Sequence, residues 1–188
     1  MKQTAKYHLA GTAPLLMHNG RLSDPHDPWS KAIKKISAKS KKTDADHEEM
    51  GRLEWHGSLY LADEVPCIPM QVIKATLLRA AMTLKKGPRV KAGVVCQEHA
   101  LLEYNGPRDF SALWLDDRFR DRRPKAMRGV RVIRTRPVFF PWEATIVLAF
   151  SDELVNPQEV DEFVTIAGTT IGFCDERPDY GRFSVHKL

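Results

Sequence analysis

The chain has 188 residues and a net charge of +5, with 43% hydrophobic and 28% charged residues. This composition excludes a wholly disordered chain, and no apolar run reaches the ~18 to 20 residues that a membrane span requires. The length predicts one domain over residues 1–188. The N-terminal residues lack the apolar stretch of a secretory signal, so we expect a cytoplasmic protein without membrane contact.

The N-terminal part of the chain predicts a strand, a long insertion and a helix. Residues Lys2–Ala10 alternate between polar and apolar, which is typical of a half-buried strand. The segment from Gly11 to Lys42 is rich in Pro, Asp, Ser and Lys, and we expect it to form an excursion rather than core. Thr43 is the predicted N-cap of a helix from Asp44 to about His56, and a short strand is expected at residues 57–62.

The central part predicts the longest helix, over Pro69–Lys86, because its apolar residues recur at helical spacing. Gly87 is the expected stop signal. Gly93–Tyr104 and the sequence GVRVIRTR at residues 129–136 are weaker strand candidates.

The C-terminal part predicts a strand, a helix and a last strand. Residues Trp142–Phe150 alternate cleanly, as in a central antiparallel strand. Asn156 is the predicted N-cap of the second long helix, with Glu159 completing a capping box and the helix ending near Gly168 or Gly172. The last strand is expected at Tyr180–Val185.

Without insertions, the predicted order is strand, helix, strand, strand, helix, strand. This order indicates the α+β class and a ferredoxin-like (RRM-like) β-α-β-β-α-β core, with an antiparallel sheet and both helices on one face. The other face stays open, and in this fold it often binds single-stranded nucleic acid. Two long insertions interrupt the core, a lysine-rich one with a helix at residues 11–56 and a basic one at residues 105–129.

Two segments carry most of the positive charge. Arg118–Arg136 carries +8 and Lys31–Lys42 carries +6, which leaves −9 on the rest of the chain. We name these segments the arginine block and the lysine block. Such asymmetry favours a polyanionic partner, and arginines that pair with phosphates and stack on bases favour single-stranded nucleic acid.

Two stretches resemble motifs of the RAMP superfamily, the RRM-like proteins of CRISPR effector complexes. IPMQVIKATLLRAA at Ile68–Ala81 is similar to the family's entry into its first helix, with Pro69, Lys74 and Arg79 at matching positions. GTTIGFCDERPDYGRFSV resembles the family's C-terminal glycine-rich loop, with Gly168, Gly172, Gly181 and Arg182 in place.

The resemblance implies a backbone-subunit-like protein that binds guide or transcript RNA, with self-association along that RNA and a role in antiviral defence. Three aromatic residues beside basic ones are candidate stacking platforms, Trp29, Phe119 and Tyr180. The alternative for Trp29 and Phe119 is that they pack on the domain. The candidate nucleic-acid contacts come from the two blocks and the two motifs: Lys31, Lys34, Lys35, Lys39, Lys41, Lys42, Lys74, Arg79, Arg118, Arg120, Arg122, Arg123, Lys125, Arg128, Arg131, Arg134, Arg136, Arg177, Tyr180 and Arg182.

The sequence offers no signature of a cofactor or metal enzyme. It has no Walker loop, no G-x-S-x-G and no H-E-x-x-H pattern, and Cys67, Cys96 and Cys174 form no C-x-x-C pair. We therefore expect no cofactor, no metal ion and reduced thiols.

Three alternatives to RNA binding stay open. The loop HNGRLSDPHDP holds His18, Asp24 and Asp27, and some RAMP backbone subunits cut bound RNA with an aspartate after the first strand, so one alternative is an endoribonuclease. A single-stranded DNA-binding protein of a phage or its host is the second. The third is an interaction module for an acidic protein.

Overall fold

The computed structural model describes residues 2–127 and 129–188, which form helices and antiparallel sheets of the predicted α+β class. The chain divides into two compact units. The sheet unit consists of residues 2–15, Leu61–Asn105 and Phe140–Leu188, and the basic unit consists of Leu16–Tyr60 and Gly106–Phe139. The basic unit has 18 basic and 11 acidic residues, a net charge of +7. Its two segments overlap the predicted insertions, and the description of the whole as one RRM-like domain stays a prediction.

The sheet unit is built from seven strands and three helices in the described residues. In chain order these elements are β1 (Lys2–Gly11), β3 (Leu61–Ala62), β4 (Val65–Ile68), α3 (Met70–Thr83), α4 (Gly87–Gly93), β5 (Val94–Cys96), β6 (Ala100–Tyr104), β9 (Trp142–Ser151), α6 (Pro157–Ile166) and β10 (Phe183–Lys187). A π-helical turn, Ala167–Ile171, follows α6.

Within this unit the strands have the order β10-β1-β9-β6-β4-β3, and β5 also pairs with β9. The pairs β1–β10, β1–β9, β6–β9 and β5–β9 are all antiparallel. The predicted alternation of β1 and β9 is confirmed, because Tyr7 and Leu9 on β1 and Ile146 and Leu148 on β9 are all buried.

The start of α6 forms as predicted. Asn156 accepts a hydrogen bond from the Glu159 backbone N–H at 2.8 Å, and the Glu159 carboxylate accepts one from the Asn156 N–H at 3.0 Å. This reciprocal pair is the predicted capping box. Arg89 and Lys86 also bind the Glu159 carboxylate, at 2.7 and 3.1 Å, which ties α6 to the start of α4.

The basic unit contains three helices and a small sheet. Its elements are α1 (Pro28–Ser37), α2 (Asp44–Ser58), α5 (Phe110–Leu115), β7 (Arg120–Met127) and β8 (Val130–Phe139), with β2 (Leu15–Leu16) at the boundary. The sheet has the order β2-β8-β7, so β7 is an edge strand. Across the parts of the chain described here, no helix is both long and apolar enough to cross a bilayer.

The predicted helix at Asp44 is confirmed as α2, and its N-cap is Thr43. The Thr43 hydroxyl accepts a hydrogen bond from the Asp46 N–H at 3.2 Å, and Asp46 accepts one from the Thr43 N–H at 3.0 Å. Lys39 donates to the same carboxylate, which helps to lower the pKa of Asp46 to about 2.

We expect Thr43→Ala to lower the free energy of unfolding by about 1 kcal/mol, because it removes one side of this capping box. Urea unfolding followed by circular dichroism measures the change. Thr43→Ser keeps the hydroxyl and should retain most of the stability, and equal losses in the two variants would contradict the capping role.

The expectation that residues 11–42 contribute no core is wrong. Leu15, Leu16 and Met17 are completely buried, and α1 forms inside the segment. Leu15 and Leu16 of the apolar run PLLM form β2, which pairs with β8. Asp27 is the N-cap of α1, and Pro28 is its first residue.

Three predicted boundaries are also corrected. Residues 57 and 58 belong to α2, so the strand expected at 57–62 is reduced to Leu61–Ala62. The long helix ends at Thr83 because Lys85 takes a left-handed backbone conformation (φ 59°), and Gly87 then begins α4 instead of ending α3. The last strand lies at Phe183–Lys187, three residues later than expected at its start.

Candidate nucleic-acid interface

The basic unit contains a groove of about 750 Å³ that brings residues of the lysine block and of the arginine block together. Residues of α1, α2, β7 and β8 form most of its walls. Its lining residues are Leu22, Ser30, Ile33, Lys34, Ser37, Lys42, His47, Met50, Gly51, Glu54, Arg122, Arg131, Val132, Ile133, Arg134 and Thr135.

Helix α1 presents lysines to solvent because it is amphipathic. Its half-buried residues, Trp29, Ile33 and Ile36, recur at helical spacing, while Lys34 and Lys35 are exposed. Gly57 of α2 has no side chain where α1 approaches, and a Cβ there would lie 2.6 Å from Leu22 Cδ2 and 3.0 Å from Trp29 Cβ. The glycine therefore leaves room for both side chains.

Helix α2 is attached to β8 by polar contacts. Glu54 accepts a hydrogen bond from the Thr135 backbone N–H at 2.9 Å and forms an ion pair with Arg134 at 2.5 Å. Gly51 lies close to Thr135, so a Cβ there would be 3.0 Å from the threonine hydroxyl oxygen. Burial raises the pKa of Glu54 even though Arg134 lies beside it, because desolvation outweighs the attraction of the guanidinium.

Five basic side chains line the groove, and they differ in how they are paired. Lys34 and Arg131 are exposed, and within residues 2–127 and 129–188 no carboxylate lies within ion-pair distance of either. Lys42 donates to the backbone oxygen of Lys39 at 2.9 Å. Arg122 pairs with Glu48 at 2.9 Å and Arg134 with Glu54 at 2.5 Å. Lys34 and Arg131 are therefore the cations most available to an anionic ligand.

The groove also has an aliphatic floor. Its members are Ile133 of β8, which is 56% exposed, and Val132, Ile33 and Met50, which are half-buried and also line the groove. His47 has the only aromatic ring among the described groove-lining residues, which include no Phe, Tyr or Trp. A ligand with apolar surface between anionic groups matches this arrangement.

The other lysine-block candidates also lie on the outer surface of the basic unit. Lys31, Lys35 and Lys41 are exposed and do not line the groove. Lys39 is paired with Asp46 at 2.5 Å. The lysine block therefore supplies both groove residues and surface charge outside the groove.

Several arginine-block candidates are already engaged in ion pairs. Arg118 binds Asp116 at 2.6 Å, Arg123 binds Asp121 at 2.7 Å, and Arg120 is paired with Asp117 while its guanidinium lies 4.7 Å from the centre of the Trp114 ring. Lys125 is half-buried on β7. The remaining candidate of this block, Arg128, lies outside the described residues.

The structure contradicts two predicted contacts in the arginine block. Arg136 is only 2% exposed and pairs with Asp121 at 3.1 Å, so it supports the fold of the hairpin instead of contacting a ligand. Phe119 is buried against Phe139, with ring centres 5.7 Å apart, and cannot be a stacking platform. Trp29 is half-buried and stacks on the His56 ring, with centres 5.7 Å apart.

The candidates from the two family-like motifs lie in the sheet unit. The Lys74 amino group binds backbone oxygens of Val90 and Val94 at the end of α4, which gives it a structural task. Arg79 and Arg182 are exposed, and Arg177 and Tyr180 are half-buried.

The three glycines of the C-terminal motif are explained by packing within the sheet unit. Gly172 and Gly181 have φ values of +80° and +71°. A Cβ on Gly181 would lie 2.1 Å from the Phe173 oxygen, and one on Gly168 would lie 2.3 Å from the Phe183 oxygen. These glycines let the loop fold on itself, a role that requires no ligand.

The open face of the large sheet is a poor surface for nucleic acid. Glu103 and Glu143 lie directly opposite each other on β6 and β9, and both are exposed. His8 contacts Glu143 at 2.9 Å. Within the described strands the exposed side of this sheet carries the rings of His8 and His186 but no Phe, Tyr or Trp. Stacking of bases on this face would therefore depend on the two histidines.

The ribonuclease candidates are occupied in local structure. Asp27 accepts hydrogen bonds from the Trp29 N–H at 2.8 Å and from Arg21 at 3.0 Å, and Asp24 accepts one from the His26 N–H at 2.8 Å. The ring of His18 accepts a hydrogen bond from Arg134 at 3.1 Å. Among the residues described, no three His, Cys, Asp or Glu side chains converge on a metal position. Cys67, Cys96 and Cys174 are free thiols.

Sequence reasoning missed several groove residues that are not basic, among them Glu54, Met50 and Ile133. It also missed Glu48, which lies beside the groove. Glu54 and Met50 lie on the groove side of the confirmed helix α2, so helical spacing was the one signal that pointed to them.

No protein-family model and no curated protein matches the chain.

Proposed function

We propose that the protein binds single-stranded nucleic acid, with RNA favoured, in the groove of the basic unit. The observation that carries this proposal is the convergence of two basic segments far apart in sequence on one groove, with Lys34 and Arg131 lacking ion-pair partners in the described chain. Cations assembled from distant segments and left unpaired are typical of a binding surface for a polyanion.

The chemistry of the groove favours a single strand over a duplex. Phosphates would contact the cations, and the aliphatic floor around Ile133 would contact the faces of unpaired bases. In a duplex the base faces are stacked and inaccessible to such a floor. An acidic protein is the alternative partner. Its carboxylates lack the regular spacing of backbone phosphates, and binding experiments distinguish the two kinds of partner.

The fold and family predictions belong to the same proposal. The strand order β10-β1-β9-β6, with antiparallel pairs throughout, supports a ferredoxin-like core of β1, α3, β5 with β6, β9, α6 and β10. This core and the two motifs support assignment to the RAMP superfamily, a cytoplasmic location and self-association along the ligand.

Fluorescence anisotropy with labelled single-stranded RNA, single-stranded DNA and duplex DNA of about 16 nucleotides tests the function. We expect the single strands to bind more tightly than the duplex. Four of the groove cations, all except Arg134 with its buried partner Glu54, are counted as phosphate contacts. Four contacts on a single strand predict a slope of log affinity against log salt of about −3.

Equal binding of all three nucleic acids that disappears at physiological salt would contradict the proposal and would favour an acidic protein as the partner. Tighter binding of the DNA strand than of the RNA strand would retain the function and overturn the preference for RNA.

A further inference from the structure

The carboxylate of Glu48 lies between two arginines beside the groove. Its two oxygens lie 2.9 Å from Arg122 and 3.6 Å from Arg120. Glu48 is in the first half of α2, and both arginines are on β7. The carboxylate thus has the two-cation environment that a phosphate would have at the same place.

We propose that Glu48 competes with a phosphate of the ligand for Arg122. On binding, the phosphate must displace the Glu48 carboxylate from this arginine. This inference rests on the proposed function and adds a residue that sets its affinity. Arg122 lines the groove and is 49% exposed at its side chain, so a phosphate has access to the guanidinium that Glu48 occupies.

The exchange is energetically accessible because the Glu48 contact is exposed. Both side chains of the pair are about half exposed, 49% for Arg122 and 51% for Glu48. Exposed ion pairs contribute little net stability, since water and salt screen them. A backbone phosphate offers two non-bridging acceptor oxygens and one negative charge, as the carboxylate does, so it can take the place of Glu48 on the guanidinium.

Arg134 presents the opposite case within the same groove. Its partner Glu54 is 13% exposed at the side chain and also accepts the Thr135 backbone hydrogen bond. Displacing Glu54 would leave a buried N–H without its acceptor, which is costly. The groove therefore has one exchangeable carboxylate, Glu48, and one fixed carboxylate, Glu54, among its described ion pairs.

The test compares Glu48→Gln with Glu49→Gln, using labelled single-stranded oligo-uridine. Glu49 is the next residue of α2, it is similarly exposed at 42%, and it pairs with Arg52, which does not line the groove. Both variants raise the net charge by one, so any increase in affinity that comes from net charge alone is the same in both. We expect Glu48→Gln to bind more tightly than Glu49→Gln by up to about fivefold, the upper limit set by an exposed ion pair.

Two further results are decisive. In a Glu48→Gln, Arg122→Ala double variant the extra affinity should disappear, because the guanidinium that Glu48 held is absent. Equal gains in Glu48→Gln and Glu49→Gln, or weaker binding in Glu48→Gln, would overturn the competitor role. If the wild type shows no preference for single strands, the proposed function fails first, so the two failures are distinguishable.

Discussion

Simultaneous replacement of Lys34 and Arg131 by alanine is expected to weaken binding of single-stranded RNA by roughly 10- to 100-fold. These two side chains line the groove from α1 and β8, and in the described residues they have no carboxylate partner. Removing them therefore deprives the ligand of cations without leaving a protein carboxylate unpaired. Because the variant would neutralise two fewer phosphates, the salt slope should become shallower by about 1.4. Anisotropy titrations between about 50 and 200 mM salt measure both quantities.

The matched control is a double replacement of Lys31 and Lys35 by alanine. Both lysines are exposed on α1, both lie outside the groove, and their removal changes the net charge by the same amount. Equally weakened binding in the two double variants would contradict the groove as the binding site and would indicate attraction to the general charge of the basic unit. Arg136 is unsuitable for this test because its burial with Asp121 makes its removal a change in the fold.

Replacement of Trp55 by alanine should cost about 3 to 5 kcal/mol of unfolding free energy. Trp55 is completely buried in the basic unit, and its indole N–H donates to the Phe119 backbone oxygen at 2.8 Å. Its ring meets Trp114 edge to face, with centres 5.8 Å apart. The variant would lack this packing and leave the carbonyl without its donor. Urea denaturation followed by far-ultraviolet circular dichroism measures the change.

Trp55→Phe separates the two contributions, since it keeps an aromatic ring and removes the N–H group. We expect Trp55→Phe to lower the free energy of unfolding less than Trp55→Ala does, by at least ~1 kcal/mol, because phenylalanine leaves a smaller cavity than alanine. A Trp55→Ala protein within about 1 kcal/mol of the wild type would show that this tryptophan does not support the basic unit.

The parts of the fold that follow local patterns were predictable. Alternation placed β1 and β9 correctly, and capping residues placed the starts of α2 and α6 at Asp44 and Pro157. Helix α1 was missed because its residues are at most half-buried, so its lysine-rich sequence reads as a solvated loop. It is stabilised by packing against α2, which no local window contains.

The composition of the candidate site was predicted better than its geometry. Charge density alone identified both basic blocks, and both reach the groove. Their pairing with acids could not be predicted, since Glu48 and Arg122 lie 74 residues apart and meet through the packing of α2 on the hairpin. The same limit explains Arg136, whose burial depends on the register that places Asp121 directly opposite it.

The position of β7 at the edge of the small sheet has a consequence for variants in which the charges of β7 are removed. A free strand edge is a template for pairing with another chain, and proteins protect such edges with charge and with proline. Strand β7 carries Pro124 in its middle, with Arg122 and Lys125 close by. A variant that lacks several charges of β7 would therefore also lose the protection of this edge against pairing with another chain. Aggregation of such a variant would resemble a loss of ligand binding.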